Sequence, residues 1–168
     1  MGMSVTISAA GAQDAEEILK LQYLCFQSEA ELYGNYRIDP LVQTLDSLRA
    51  EIADDLVYVA RLGDEVVGSV RGAIDEEGTG QIGRLCVHPR LRGHGLGARL
   101  LRAAEAGLAE ERSATRFRLH TGHRSEGNLR LYRRAGYAPV GNATGSDGVM
   151  MILLEKEAQV PGAYVASA

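Results

Sequence analysis

The sequence R-L-C-V-H-P-R-L-R-G-H-G-L-G-A-R-L-L, residues 84–101, joins a strand pattern, a glycine-rich turn and a helix pattern without an intervening loop. Three apolar residues precede His88, and Pro89 ends the strand because proline has no amide hydrogen to give to a sheet. From Gly95 onward the apolar residues recur on one face of a helix: Leu96, Leu100, Leu101, Ala104 and Leu108. The pattern predicts a strand that ends near His88 and a helix that begins inside the glycines.

The start of this helix is typical of an anion-binding site. The first amides of a helix have no intrahelical acceptor and lie at the positive end of the helix dipole. Gly93, Gly95 and Gly97 have no Cβ, so they permit close approach of a ligand and tolerate positive φ. The simplest alternative, in a chain with 20 glycines, is a turn that binds nothing.

The same residues also satisfy the dinucleotide-binding fingerprint, as Gly93-x-Gly95-x-x-Ala98. That fold requires an acidic residue about 20 positions further on, at the end of the next strand. The next strand pattern, residues 116–121, reads R-F-R-L-H-T and ends without a carboxylate. The context therefore argues against a dinucleotide.

Arg92-x-x-Gly95-x-Gly97, after a strand that ends in Val-His-Pro, resembles the acyl-CoA-binding motif of the GNAT N-acetyltransferase superfamily. In that family the turn amides hold the CoA pyrophosphate, and the preceding strand, splayed from its neighbour, offers backbone groups to the pantetheine arm. The resemblance implies acetyl-CoA as the co-substrate. The cofactor-binding residues that it implies are Leu85, Cys86, Val87, Arg92, Gly93, His94, Gly95, Leu96, Gly97 and, from a second motif, Asn128.

That second motif is S-E-G-N-L-R-L-Y-R-R-A-G-Y, residues 125–137, which predicts a short helix with Asn128 and Tyr132 on one face and Gly136 at its C-terminal cap. The segment resembles the later motif of the GNAT family, in which the Asn contacts the pantetheine arm and the Tyr phenol approaches the thioester sulfur. Tyr132 would then be the general acid for the leaving thiolate, since a phenol with the usual pKa of about 10 is protonated at neutral pH. The alternative is a core tyrosine with its hydroxyl bonded to backbone.

The order of the patterns predicts an α/β (α+β) fold. We expect a mixed, mostly antiparallel central sheet of about seven strands with about four helices, in which the central parallel strand pair is splayed around the CoA arm, as the resemblance implies. The length of 168 residues suits one domain, 1–168, with 159–168 as a flexible tail. Strand patterns cover residues 4–9, 56–62, 66–74, 81–88, 116–121, 137–140 and 150–154, and helix patterns cover 14–30, 41–52, 95–110 and 125–136.

Charge is segregated along the chain. Residues 1–83 carry a net charge of −10, residues 84–134 carry +8, and the remainder carries −2. This division suggests an anionic cofactor and a cationic acceptor. The net charge of −4 and the absence of aromatic residues among the basic ones argue against nucleic acid, and the chain has no apolar run of membrane-spanning length. We therefore expect a cytoplasmic protein without a membrane partner.

Acceptor-binding and proton-accepting residues are less well defined. The turn-rich stretch 31–40 lies where acceptor-binding loops occur in the resembled family, and its candidates are Tyr33, Tyr36 and Arg37; a packed connection between helices is the alternative. Relatives often place a carboxylate on the central strand, but this strand has none. The candidate bases, each acting directly or through water, are His120, Glu77 and Asp39. His120 and His123 have no third ligand nearby, so we expect no metal site.

Together these features favour an N-acetyltransferase that moves the acetyl group of acetyl-CoA to an amine of a polar acceptor in a ternary complex. A strand amide, that of Val87, would polarise the thioester carbonyl. The acceptor would be a small-molecule or peptide amine, and a homodimer is one arrangement that the sequence permits. Two alternatives stay open: an enzyme that acetylates protein amino groups or uses another acyl-CoA, and a non-catalytic CoA-binding sensor of the same fold.

Overall fold

The computed structural model describes residues 4–145 and 148–159, and the strands within them form one seven-stranded sheet. The strands are β1 (Val5–Ala9), β2 (Leu56–Leu62), β3 (Glu65–Ile74), β4 (Thr79–Val87), β5 (Arg116–Gly122), β6 (Ala138–Thr144) and β7 (Met150–Glu157). Their order is β1-β2-β3-β4-β5-β7-β6, and every neighbouring pair is antiparallel except β4 and β5. The predicted mixed, mostly antiparallel sheet is confirmed.

The described helical residues form α1 (Ala15–Cys25), α2 (Gln27–Tyr33), α3 (Asp39–Val42), α4 (Leu45–Asp54), α5 (Leu96–Arg112) and α6 (Glu126–Arg134). There are more helices than the predicted four because two of those four are interrupted. The first breaks at Phe26, where φ is −92° and ψ is 6°. The second breaks before Leu45, where the Thr44 hydroxyl accepts a hydrogen bond from the Ser47 amide and caps α4. The apolar periodicity continues across both breaks, so it did not reveal them.

The two central strands, β4 and β5, pair over only a short stretch. Residues 79–81 pair in parallel with residues 116–118, because α5 crosses from one strand to the other. Beyond this point β4 continues against β3, and β5 continues against β7 on its other edge. The C-terminal halves of β4 and β5 therefore diverge, as predicted, and leave a gap within the sheet.

A bulge in the sheet accompanies the divergence. The register between β3 and β4 shifts between Ser69 and Arg71, and Arg84 on β4 takes a φ of +53°. A bulge bends its strand and increases the local twist. The bend falls between Gln81, where pairing with β5 ends, and Val87, where β4 ends. Its position is consistent with the departure of β4 from β5.

Helix α5 packs its apolar stripe on one face of the sheet and forms the main core with β2–β5. Glycines make room for it: a Cβ added at Gly72 or Gly80 would lie 2.9 or 2.8 Å from Leu108 Cδ1. Helices α1 and α4 cover the opposite face, since successive strand residues point to opposite sides. The side chains buried in these cores include Ile18, Leu48, Val59, Leu100, Leu101, Leu108, Phe117 and Leu119.

Two further expectations concern the C-terminal part of the chain. Strand β6 continues through Thr144, four residues past its predicted end at Val140. The predicted tail lies outside the described residues apart from Gln159. Within residues 4–145 and 148–159, no helix is long and apolar enough to cross a membrane, and no group of side chains could hold a metal ion.

Candidate active site

The glycine-rich turn has the geometry of an anion site. Gly93 has a φ of +84° and Gly95 a φ of +77°, in the left-handed region that favours glycine. A Cβ at either position would meet nothing within 4 Å, so the space in front of the turn is open. Gly95 is the N-cap of the 17-residue α5, whose first amides face this space. Gly97 has a different role, because a Cβ there would lie 3.3 Å from Leu131 Cδ2 of α6.

A cavity of about 820 Å³ runs from this turn along the C-terminal part of β4 to α6. It is lined by Leu85, Cys86, Val87, Arg92, Gly93, Gly95, Leu96, Gly97 and Asn128, which are the predicted cofactor residues except one. The exception, His94, is exposed and does not line the cavity. Arg102 and Arg134 add positive charge, while Lys156 bonds Glu105 at 3.0 Å. We call this space the cofactor cavity.

A second cavity, of about 370 Å³, shares four lining residues with the cofactor cavity: Phe26, Glu29, Leu85 and Asn128. We call it the acceptor cavity. Of the candidates from the sequence, it is lined by Tyr33, Asp39, His120 and Tyr132. Three other candidates, Tyr36, Arg37 and Glu77, are exposed and line neither cavity. The structure thus does not bring Glu77 to the gap, because it lies in the turn before β4, at the opposite end of the strand.

Tyr132 is 6% exposed and lies in the wall of the acceptor cavity, one helical turn after Asn128. Burial raises the pKa of the Tyr132 phenol well above its usual range, and the negative charge of Glu29 raises it further. The phenol is therefore held in its neutral, proton-donating form. Asn128 bridges the two cavities, and its Nδ2 donates to Thr121 Oγ1 at 3.2 Å.

The sequence profile of the acetyltransferase (GNAT) family matches residues 15–137, which is most of the chain and includes the glycine-rich turn and helix α6. The chain belongs to the GNAT acetyltransferase family. No curated protein matches it significantly in sequence.

Solved GNAT structures share its fold at low sequence identity. The PaiA N-acetyltransferase of Thermoplasma acidophilum, in complex with coenzyme A, is 17% identical over 92% of this chain and 99% of its own, with a TM-score of 0.75. A putative acetyltransferase of Salmonella typhimurium with its cofactor acetyl-CoA is 15% identical over 95% and 97%, with a TM-score of 0.75. The ribosomal-protein-S18-alanine N-acetyltransferase of Escherichia coli is 14% identical over 95% and 97%, with a TM-score of 0.73.

One residue of this GNAT site was missed by the sequence analysis. Glu29 of α2 lines both cavities, and its Oε2 accepts a hydrogen bond from Ser125 Oγ at 2.8 Å. Ser125 Oγ is in turn 2.7 Å from the Tyr33 hydroxyl. The available signal was the spacing of Glu29 four residues after Cys25, which places both near one side of the helical pattern. Without a surrounding motif, a glutamate in a helical pattern is normally interpreted as a solvent-exposed side chain.

The backbone of β4 presents polar groups to the gap. The His88 amide donates to the Val67 carbonyl at 2.8 Å, so Val87 and Gly68 form a non-hydrogen-bonded pair of the antiparallel ladder. The Val87 amide and carbonyl therefore point away from β3, toward the gap. The Val87 carbonyl accepts from Cys25 Sγ at 3.3 Å. The Val87 amide is therefore directed toward the position that the GNAT resemblance implies for the thioester carbonyl.

The two cysteines are buried free thiols beside the cofactor cavity. A hydrogen bond with Cys25, together with burial, raises the pKa of the Cys86 thiol well above its usual range. Cys86 therefore stays protonated and unreactive.

Proposed function

We propose that this GNAT protein is an N-acetyltransferase that moves the acetyl group of acetyl-CoA to a primary amine of a polar, cationic acceptor. The observation that carries the proposal is that two cavities meet beside β4, where they share Phe26, Glu29, Leu85 and Asn128. The cofactor cavity ends at the glycine-rich turn, and the acceptor cavity contains the neutral phenol of Tyr132. Reaction between a thioester and an amine would take place where they meet.

The residues of the cofactor cavity fit acetyl-CoA. The pyrophosphate would lie on the amides at the start of α5, in the open space before Gly93 and Gly95. Arg92, Arg102 and Arg134 supply positive charge for the phosphates. The pantetheine arm would run along the unpaired edge of β4 toward Asn128. The acetyl carbonyl would then accept a hydrogen bond from the Val87 amide.

The chemistry follows from this arrangement. The neutral amine attacks the thioester carbonyl carbon, a C–N bond forms, and the C–S bond breaks. Tyr132 gives its proton to the departing sulfur, and the resulting phenolate takes the proton that the acylated nitrogen must lose. The Val87 amide stabilises the negative charge that develops on the carbonyl oxygen. The products are an acetamide and CoA thiol.

The composition of the acceptor cavity favours a cationic acceptor. Its lining includes the acidic residues Glu29, Asp39, Glu51 and Asp55 against the basic residues Arg71 and Arg84. Arg71 Nη1 bonds Glu51 at 2.5 Å, so this pair contributes little net charge. Burial raises the pKa of Asp55, and repulsion from the Glu51 and Asp54 charges raises it further. An ammonium group would relieve that repulsion.

A panel of amine acceptors tests the proposal. We expect acetyl-CoA-dependent acetylation of polyamines, aminoglycosides, amino acids or peptide N-termini, with kcat/KM highest for acceptors of net positive charge. Thiol release and the mass of the acetylated product are measured together. Reaction with neutral or acidic acceptors alone would contradict the charge argument. Tight acetyl-CoA binding without transfer to any amine would instead identify a CoA-binding sensor.

A further inference from the structure

An amine acceptor must lose a proton before it attacks, because an alkylammonium with a pKa of about 10 is almost wholly charged at neutral pH. The central strand β4 has no carboxylate to accept that proton. Four carboxylates line the acceptor cavity: Glu29, Asp39, Glu51 and Asp55. Among these four, Glu29 alone also lines the cofactor cavity. It is therefore the carboxylate at the junction where thioester and amine would meet.

The other three carboxylates are less well placed. Glu51 is occupied by Arg71 and by Gln43 Nε2, both at 2.5 Å. Asp55 precedes β2, beside Glu51, toward the end of β4 where that strand still pairs with β5. Asp39 is exposed on α3 and does not line the cofactor cavity. His120, the candidate base without a carboxylate, is also exposed and lines only the acceptor cavity.

A chain of hydrogen bonds fixes the Glu29 carboxylate. Ser125 Oγ donates to Glu29 Oε2 at 2.8 Å, so the 2.7 Å contact between Ser125 Oγ and the Tyr33 hydroxyl has the phenol as donor. The Tyr33 oxygen then accepts from the Arg124 amide at 3.0 Å. Each hydroxyl group in this chain of hydrogen bonds therefore donates its hydrogen toward Glu29. This orientation makes Glu29 Oε2 the terminal acceptor of the chain and fixes the position of the carboxyl group beside both cavities.

Glu29 and Tyr132 approach the junction from different elements, α2 and α6. They are near enough for the charge of Glu29 to disfavour ionisation of the phenol. A proton acceptor and a proton donor thus face one site, and burial, reinforced by the charge of the acceptor, keeps the donor neutral. Pairs of this kind divide the roles of base and acid in many active sites.

We propose that Glu29 is the general base of the transfer, an inference that rests on the proposed function. The Glu29 carboxylate takes one proton from the acceptor ammonium, directly or through one water, and leaves the neutral amine to attack the thioester. After the C–S bond breaks, Glu29 releases that proton to solvent. The balance is one ammonium and one acetyl thioester converted to one acetamide, one thiol and one proton.

The test is the pH profile of the Glu29→Gln variant with the best acceptor of the panel. At pH 7 we expect kcat/KM to fall by roughly 10² to 10⁴, the usual contribution of one positioned base. The loss should shrink about tenfold per pH unit toward the pKa of the amine, because the free amine needs no base. Glu29→Asp, which keeps a carboxylate, should retain more activity at pH 7 than Glu29→Gln. Acetyl-CoA affinity should be unchanged in both variants.

Glu31→Gln is the matched control, since Glu31 lies on the same helix, is exposed and lines neither cavity. It should behave as the parent protein. A Glu29→Gln variant with the parent's kcat/KM would overturn the assignment of Glu29 as base. So would a loss of kcat/KM that is equal at every pH and comes only from a higher KM for the acceptor. An inactive parent protein would overturn the proposed function itself, and the two failures are therefore distinguished by the parent protein's activity.

Discussion

Tyr132 has two possible roles that the structure makes experimentally separable. It is buried like a core residue, yet its ring lies in the wall of the acceptor cavity, 6.2 Å from the ring of Tyr137. Tyr137 is also buried, and its hydroxyl donates to Glu105 at 2.7 Å. The neighbouring tyrosines thus provide a candidate acid and a structural hydroxyl in the same environment.

We predict that Tyr132→Phe lowers kcat by about 10² to 10⁴, because the ring is kept and the proton is lost. Affinity for acetyl-CoA and the melting temperature should change little. Tyr137→Phe should do the reverse, with kcat retained and a loss of roughly 1–3 kcal/mol in the free energy of unfolding, since Glu105 loses a buried donor. Steady-state kinetics and thermal unfolding of both variants give the comparison. The role of Tyr132 as acid would be contradicted if Tyr137→Phe lowered kcat without a loss of stability while Tyr132→Phe left kcat unchanged.

Single residues were predictable from the sequence where a motif surrounds them. Asn128 and Tyr132 could be found because their spacing and the closing Gly136 form a pattern. Glu29 could not, since its place at the junction of the cavities depends on tertiary structure, including a hydrogen bond from Ser125, 96 positions away. Glu77 directly precedes the central strand in sequence, but it lies at the start of that strand and the two cavities meet near its other end.

The element that organises the cofactor cavity is the turn between β4 and α5. Gly95 is required there for its backbone conformation and for the open space in front of it. Gly63, in the β2–β3 hairpin, has a similar φ of +62° and open surroundings but lies away from both cavities. The two glycines therefore allow strain and ligand contact to be measured separately.

We predict that Gly95→Ala weakens acetyl-CoA binding at least tenfold, because the new Cβ occupies the space where the pyrophosphate would lie. Gly63→Ala is the control for strain. Each substitution should cost about 1–2 kcal/mol in the free energy of unfolding, the usual penalty for a left-handed conformation. Titration calorimetry measures affinity, and denaturant unfolding measures stability. Equal affinities in the two variants would mean that the phosphates bind elsewhere.

Elements bounded by glycine and proline were predicted well, and those without such residues were not. The end of β4, the start of α5 and the β2–β3 hairpin are each marked by a residue with special backbone chemistry. The interruption at Phe26 has no such mark, since neither glycine nor proline stands between Ala15 and Tyr33. The splay of β4 and β5 was expected from the family resemblance alone.

For the whole molecule, the charge division along the chain becomes a division between the two cavities. The carboxylates of the acceptor cavity, Glu29, Asp39, Glu51 and Asp55, all come from the acidic first half. Arg92, Arg102 and Arg134 of the cofactor cavity come from the basic second half. The division is a net one, since Glu29 and Glu105 also line the cofactor cavity and Arg71 and Arg84 also line the acceptor cavity. This arrangement suits an anionic co-substrate on one side of the gap and a cationic acceptor on the other.

The most direct test of the account is thermal unfolding with acetyl-CoA and, separately, with NAD. A ligand present at about 100 times its Kd stabilises the folded state by roughly 2.7 kcal/mol. For a domain of this size, that corresponds to a rise in Tm of about 5–10 °C. We predict such a rise with acetyl-CoA and none with NAD. No shift with acetyl-CoA, or an equal shift with NAD, would contradict the assignment of the cofactor cavity.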